Sequence, residues 1–183
     1  MSVIPQSVTI EEYRFADDGH IPNNPHLPLV VYRGVLDGGA PTSIDAARSC
    51  EALFARHGWT GAWHDGIYAH HHYHSTAHEV LGIVAGSARV RLGGESGRTV
   101  ALGTGDVVVI PAGVAHKCEE ASPDLLVVGA YPRGQSPDMR RAGAEERERA
   151  LKKIAAVPLP QADPVRGGKG PLIARWRSDR TEG

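Results

Sequence analysis

Short apolar runs, separated by glycine and proline, recur along the middle of the chain. Alternating apolar and polar positions predict a pair of strands over 79–85 and 87–92, turning at Gly86, and another strand over 98–102. Further apolar runs predict strands over 107–110 and 125–131, with His116 on a strand between them. Many short strands at regular spacing, divided by Gly and Pro turns, are typical of a sandwich or barrel. The pattern therefore predicts an all-β fold.

The first 58 residues combine two predicted strands with one predicted helix. The strands are expected over 7–15 and 29–36, joined by an irregular, proline-rich connection. Apolar residues recur at helical spacing over 43–57, which predicts a helix capped by Ser43 and stopped at Gly58. We expect the packing face of this helix to consist of Ile44, Ala47, Cys50 and Phe54.

The last 52 residues have a different composition from the central block. The central block begins with a predicted strand over 59–69. After the block, residues 142–155 are charge-rich and helical in character. Residues 157–183 contain four prolines, and we expect an extended tail anchored by Leu172 and Trp176. We interpret 1–58 as strands and a helix packing on a barrel, 59–131 as the barrel core, and 132–183 as a C-terminal helix and tail. All three form one structural domain in this interpretation.

Composition excludes several classes of partner. The chain has 183 residues, enough for one domain with its own core. A formal net charge of −1 and 5% aromatic residues argue against binding to nucleic acid. No apolar stretch has the roughly 18–20 residues of a membrane helix, and the first residues do not resemble a secretory leader. Cys50 and Cys118 lie far apart, which indicates free thiols and a cytoplasmic protein, with one disulfide as an open alternative.

One histidine-rich stretch carries the candidate chemistry. Five of the ten histidines fall within 70–78, directly before Glu79. Imidazole nitrogen and carboxylate oxygen are ligands for divalent metals such as Zn, Fe, Mn or Ni. Strand alternation places His72 and His74 on one face, and Glu79 begins the next strand on the face shared by Leu81 and Ile83. His116, after a Pro-Ala-Gly bend, is the candidate for a fourth ligand.

This set of residues predicts a site open to a further ligand. Three imidazoles and one carboxylate leave one or two positions free on a five- or six-coordinate metal, as in catalytic sites. Burying the same groups without a metal would be costly. His78 has three alternatives: a ligand in place of another residue, a base beside the ligands, or a turn residue hydrogen-bonded to backbone. His70 and His71 are expected at the mouth of the barrel or on its outside.

The spacing of these residues resembles the cupin superfamily. The first cupin motif is matched by Gly66, His72, His74, Glu79 and Gly86, at intervals of five, one, four and six intervening residues. The second motif is matched by Gly105, Pro111, Gly113 and His116, at intervals of five, one and two. The resemblance covers about residues 60–131 and is closest to single-domain bacterial cupins of generally unassigned activity.

The resemblance implies a cupin-type jelly-roll β-barrel with a few flanking helices. It implies that the metal-binding positions are His72, His74, Glu79 and His116. One position departs from the pattern, because Glu120 stands where the second motif usually has Asn. By strand parity we expect Glu120 and Cys118 on the side of His116, where Glu120 would change the polarity of the pocket.

Several activities are compatible with such a site. One hypothesis is a metal-dependent enzyme, such as a dioxygenase or other oxygenase, an isomerase or a lyase, acting on a small molecule. The alternative is a non-catalytic module that binds or senses a small molecule or metal. We also expect a homodimer, since the terminal segments exceed the needs of one barrel and exposed sheet edges require cover.

Overall fold

Two antiparallel β-sheets face each other in the computed structural model of the chain, which describes residues 8–180. The larger sheet has the order β1-β2-β7-β4-β9-β3 and comprises β1 Ile10–Phe15, β2 Asn24–Tyr32, β3 Trp59–Asp65, β4 Glu79–Ala85, β7 Val107–Ile110 and β9 Leu126–Pro132. The smaller sheet has the order β6-β5-β8 and comprises β5 Ser87–Leu92, β6 Arg98–Gly103 and β8 His116–Ala121. The predicted all-β, jelly-roll fold is confirmed.

Alternation along the larger sheet builds two cores. Val107 and Val109 of β7 face one core, whereas Val108 and Ile110 face the other. The first core also contains residues of two helices, and the second fills the space between the two sheets. Because both faces of β7 are covered, its apolar run is continuous rather than alternating.

Three helices flank the sheets: α1 Ser43–Arg56, α2 Ala144–Ala156 and α3 Pro171–Arg180. The cap of α1 is Thr42 rather than the predicted Ser43, because the Thr42 side chain accepts a hydrogen bond from the Asp45 amide. Ile44 is 61% exposed and does not belong to the packing face, whereas Ala47, Cys50 and Phe54 are buried as expected. In the described part of the chain, no helix is long and apolar enough to span a membrane.

The predicted extended tail is wrong for its second half, which forms α3. Leu172 and Trp176 are fully buried against the first core, so the predicted anchors are confirmed. The Trp176 indole donates a hydrogen bond to the Pro28 carbonyl at 2.9 Å. Strand limits also differ at the ends: the strand predicted over 59–69 stops at Asp65, and that predicted over 29–36 spans 24–32. Residue 7, where the first strand was expected to begin, lies outside the described residues.

A fully buried aspartate holds the C-terminal segment onto the sheet. The Asp163 carboxylate accepts hydrogen bonds from the Tyr32 hydroxyl at 2.5 Å and from the amides of Val165, Arg166 and Leu172 at 2.8, 3.0 and 3.1 Å. Leu172 is the second residue of α3, so this carboxylate joins the start of the helix to β2. The Asp163 carboxylate is therefore one of the main attachments of the C-terminal segment to the sheet.

Replacing Asp163 by Ala should lower the free energy of unfolding by about 2 kcal/mol or more, because several buried donors lose their acceptor. Urea denaturation followed by tryptophan fluorescence measures the change. Asp124→Ala, at an exposed turn, should change stability by less than about 0.5 kcal/mol. Equal stability of the two variants would contradict the assigned role.

Candidate metal centre

The histidines approach one another because two distant segments pair. His72 and His116 form an isolated antiparallel bridge: the His72 amide donates to the His116 carbonyl at 3.2 Å, and the reverse bond is 2.9 Å. The two imidazole centroids are consequently 4.0 Å apart. His74 lies two residues further on, and its ring centroid is 5.6 Å from each of the other two.

The bend before His116 depends on a glycine. Gly113 has φ +95°, and a Cβ atom there would lie 2.3 Å from the Asn23 carbonyl oxygen. The Gly113 amide donates to the His74 carbonyl at 2.8 Å. Gly113 therefore allows the second motif to turn close to the segment that contains His74, and its amide hydrogen bond connects the two motifs.

Glu79 lies at the centre of the cluster. It is the first residue of β4 and, as predicted, shares its face with Leu81 and Ile83, which belong to the core between the sheets. Its Oε2 atom is 3.2 Å from His74 Nε2 and 3.2 Å from His116 Nε2. One nitrogen from each of the three histidines lies within 4.8 Å of the others. All four predicted site residues are thus brought together and buried.

Backbone carbonyls orient all three imidazoles. The Nδ1 atoms of His72, His74 and His116 lie 3.2, 2.5 and 3.3 Å from the carbonyl oxygens of His70, Asp138 and Val114. A carbonyl oxygen only accepts, so these contacts place a proton on each Nδ1 atom. Each Nε2 atom then carries a lone pair, and those of His74 and His116 point to the Glu79 carboxylate. Metal-bound histidines are commonly oriented in the same way.

The electrostatics of this arrangement favour a bound cation. Glu79 is 2% exposed, and its buried Oε2 atom has no hydrogen-bond partner among the described residues. Burial raises the pKa of Glu79, but a positive charge on the neighbouring His116 and His74 outweighs burial and holds the pKa below its usual range. An ionised carboxylate facing imidazole lone pairs is repulsive unless a positive charge lies between them. The four residues therefore fit a divalent metal ion.

The histidine pKa values agree with this description. Burial, followed by the neighbouring His116, lowers the pKa of His72 to about 3, so its imidazole is neutral and available as a ligand. Burial also lowers the pKa of His74, but the Glu79 carboxylate raises it above its usual value. A proton on His74 is thus the competitor of a metal ion at Glu79.

A cavity of about 520 Å³ opens above the cluster. Its walls come mainly from the end of β3 and the segment that follows, together with parts of β4 and β9; they comprise Trp63, His64, Asp65, Gly66, Ile67, Tyr68, Ala69, Leu81, Tyr131 and Met139. His72, His74, Glu79 and His116 form the remainder of its lining. The size is that of pockets for small organic ligands.

Two aromatic residues form a fixed wall of this cavity. The Trp63 indole lies over Gly129, where a Cβ atom would come within 2.1 Å of the ring. Its Nε1 atom donates to the Tyr131 hydroxyl at 2.8 Å. Burial, and then the charge of Glu79, raise the pKa of Tyr131 above its usual range, so the phenol keeps its proton. Trp63 therefore contributes to the lining of the cavity while it packs on Gly129.

His78 lies outside the three-histidine cluster. Its Nδ1 atom accepts a hydrogen bond from the Ala112 amide at 2.9 Å, and its ring packs against Trp176 at a centroid distance of 4.7 Å. Of the alternatives considered for His78, this placement corresponds to the residue bonded to backbone. His71 contacts Glu95 at 2.7 Å, and His70 stacks on Tyr68 at the cavity mouth.

The predicted placement of Glu120 beside His116 is wrong. Val90 pairs with Cys118, whereas the adjacent Arg89 pairs with Glu120, so Glu119 is an extra residue in β8. Such a bulge reverses the parity of the strand beyond it. Glu120 is consequently exposed and lies 3.9 Å from Arg89 instead of changing the polarity of the pocket.

The sequence analysis missed a segment that supports the site. In addition to its carbonyl contact with His74, Asp138 accepts from the Ser75 amide at 2.6 Å and from the Ser75 hydroxyl at 2.5 Å. Arg140 donates to Asp138 at 2.8 Å, and the Arg140 amide bonds to Tyr73. Because more than 60 residues separate the partners, no local pattern reports this contact; only the polar Ser-Pro-Asp turn marks the segment.

Comparison with known proteins agrees with this architecture. A cupin domain profile matches residues 62–128. The chain belongs to the cupin superfamily. Among curated relatives it is similar to Uncharacterized protein YjlB of Bacillus subtilis (strain 168), with 44% identity over 167 residues, 91% of this chain and 96% of the relative.

Solved structures with a similar fold are more distant. One is acireductone dioxygenase from Bacillus anthracis with a cadmium ion in its active centre, 15% identical, covering 72% of this chain and 82% of that chain with a TM-score of 0.38. Another is dTDP-6-deoxy-D-glucose-3,5-epimerase from Legionella pneumophila, 16% identical, covering 68% and 72% with a TM-score of 0.39.

Replacing Asp138 by Ala should weaken zinc binding about 10- to 100-fold, because the segment that orients His74 and Ser75 is released. Competition with a chromogenic chelator measures the dissociation constant. Asp124→Ala, at an exposed turn between β8 and β9, serves as control. An unchanged zinc affinity in a folded Asp138→Ala protein would contradict the orienting role.

Proposed function

We propose that the protein binds one divalent metal ion, Zn, Fe, Mn or Ni, through His72, His74, His116 and Glu79. The observation that carries this proposal is the buried Glu79 oxygen, 3.2 Å from two imidazole nitrogens that already have their protons on the opposite side of the ring. A metal ion that replaces the proton between His74 and Glu79 would balance the negative charge of the carboxylate. The same ion would also bind the imidazole of His72.

We propose further that the metal serves a small-molecule enzyme. Three imidazoles and one carboxylate leave at least one position free, and the cavity above the cluster gives that position room for an organic ligand. When bound, the metal supplies Lewis-acid or redox chemistry of the kind used by isomerases, lyases and dioxygenases. The cavity beside the site therefore favours a metal that acts on a bound organic ligand over a metal that only stabilises the surface.

The residues around the site have distinct roles in this proposal. The neutral phenol of Tyr131, with its oxygen already accepting from Trp63, holds its proton towards the cavity floor. The apolar side chains of Ile67 and Leu81 exclude water from one side. These groups can orient a ligand and move a proton within a region of low dielectric.

The quaternary structure and location also belong to the proposal. Strands β1 and β3 are the two edges of the larger sheet, and pairing or cover at such edges is a common basis of homodimers. We propose a cytoplasmic homodimer in which residues 1–58, 59–131 and 132–183 act as one structural domain.

The double replacement His72→Ala, His116→Ala should weaken zinc binding by more than about 100-fold, because two ligands are removed. Wild-type protein should bind one zinc per chain after dialysis, as measured by mass spectrometry of the metal. His64→Ala removes an imidazole that lines the same cavity but lies outside the cluster, so its stoichiometry should stay at one. Equal zinc affinity of the double variant and wild type would reject the proposed ligand set.

His78→Gln should bind zinc as tightly as wild type, within about threefold, since an amide oxygen can still accept from the Ala112 amide. Isothermal titration with zinc measures the affinity, and a melting curve verifies the fold. A loss comparable to that of the double variant would make His78 a ligand instead.

A further inference from the structure

The walls of the cavity limit the kind of molecule that it can hold. Of the fourteen described residues that line it, none is Lys or Arg. Those two side chains are the usual partners of carboxylate and phosphate groups. An anionic group placed anywhere in the cavity except at the metal would therefore lack a partner.

The charge at the cavity mouth has the opposite sign from that of the floor. A divalent ion with three neutral imidazoles and the Glu79 carboxylate leaves a net positive floor. At the mouth, Asp65 is exposed, and its carboxylate accepts a hydrogen bond from the Gly66 amide at 2.8 Å. Among the described side chains, which extend over residues 8–178, no cationic group forms an ion pair with Asp65. A free carboxylate at the mouth favours a positively charged group.

Aromatic rings, whose faces carry partial negative charge, also line the cavity. Strand alternation places Trp63 and Asp65 on the same side of β3, about 7 Å apart along the strand. Trp63 is fixed by its bond to Tyr131, whose ring centroid is 6.1 Å from that of the ligand His74. Tyr68 lines the mouth and is 57% exposed. Such faces attract organic cations and the planar parts of ligands.

Resting on the proposed function, we propose that the ligand is a small organic molecule with an oxygen-donor group at one end and a protonated amine at the other. The donor oxygen binds at the metal, the body of the molecule packs on Trp63 and Tyr131, and the ammonium group lies at Asp65. The charge order of the cavity thus fixes both the class of ligand and its direction of binding.

Three probes of nearly equal shape test the proposal: dopamine, 4-ethylcatechol and 3,4-dihydroxyphenylacetate. They share an oxygen-donor head and differ in the charge of the tail. Binding to zinc-loaded protein is measured by isothermal titration in anaerobic buffer at low ionic strength. Dopamine should bind about 3- to 30-fold more tightly than 4-ethylcatechol, and the anionic probe should bind most weakly.

A matched pair of variants identifies the residue responsible. Asp65→Asn keeps the oxygen that accepts from the Gly66 amide but removes the charge. It should weaken dopamine binding about two- to fivefold and leave 4-ethylcatechol binding unchanged. Asp124→Asn, an exposed aspartate on the β8–β9 turn, should change neither.

The outcomes separate this inference from the proposed function. Zinc binding at one per chain with no preference for dopamine, with a preference for the anionic probe, or with no binding of any probe would overturn the inference and leave the metal site intact. An unchanged dopamine affinity in Asp65→Asn would also overturn it. Failure to bind zinc would overturn the proposed function itself.

Discussion

The contact between the buried Glu79 carboxylate and two imidazole nitrogens is the constraint on which the centre of this molecule depends. A carboxylate loses its hydration when it is buried, and the imidazoles of His74 and His116, with their Nδ1 atoms bonded to backbone carbonyls, turn Nε2 lone pairs towards it unless a proton or metal ion is bound there. A cation resolves this conflict. Backbone carbonyl groups contact the Nδ1 atoms of all three imidazoles, and these contacts fix the direction in which each ring faces Glu79.

That orientation draws on segments from the whole chain. The His72–His116 bridge joins the two motif segments, and the Gly113 amide bonds to the His74 carbonyl. Beyond the barrel, Asp138 holds His74 and Ser75. The sheets supply a rigid frame, because the β4 strand that carries Glu79 lies between two hydrogen-bonded neighbours. The positions of the four candidate ligand residues are therefore set by contacts throughout the fold and not by a single loop.

The strands, and the grouping of the four candidate site residues, are largely predictable from the sequence, because both depend on local periods and spacings. The strands expected over 79–85, 87–92 and 107–110 coincide with β4, β5 and β7. The prediction that Glu79 shares a face with Leu81 and Ile83 rests on the alternation of side chains along a strand. The structure has this arrangement, because β4 has no bulge before Ile83. The same argument failed at Glu120, because one extra residue in β8 reverses parity and leaves no mark on the hydrophobic pattern.

The remaining errors concern tertiary contacts. Helix α3 follows several prolines, yet Pro171 is its first residue, a position at which the missing amide proton costs nothing. Its stability comes from burying Leu172 and Trp176 rather than from its own sequence. The Asp138 contact spans 64 residues, and no period in the sequence can report a partner so distant.

The most direct test of this account is X-ray absorption spectroscopy at the zinc edge of the zinc-loaded protein. The account predicts a first shell of three imidazole nitrogens and one or more oxygens at about 2.0–2.2 Å, with the multiple-scattering pattern of histidine. Loss of the imidazole scattering from two ligands in His72→Ala, His116→Ala would agree with it. A shell containing sulfur, or one with fewer than three imidazoles in the wild-type protein, would contradict it.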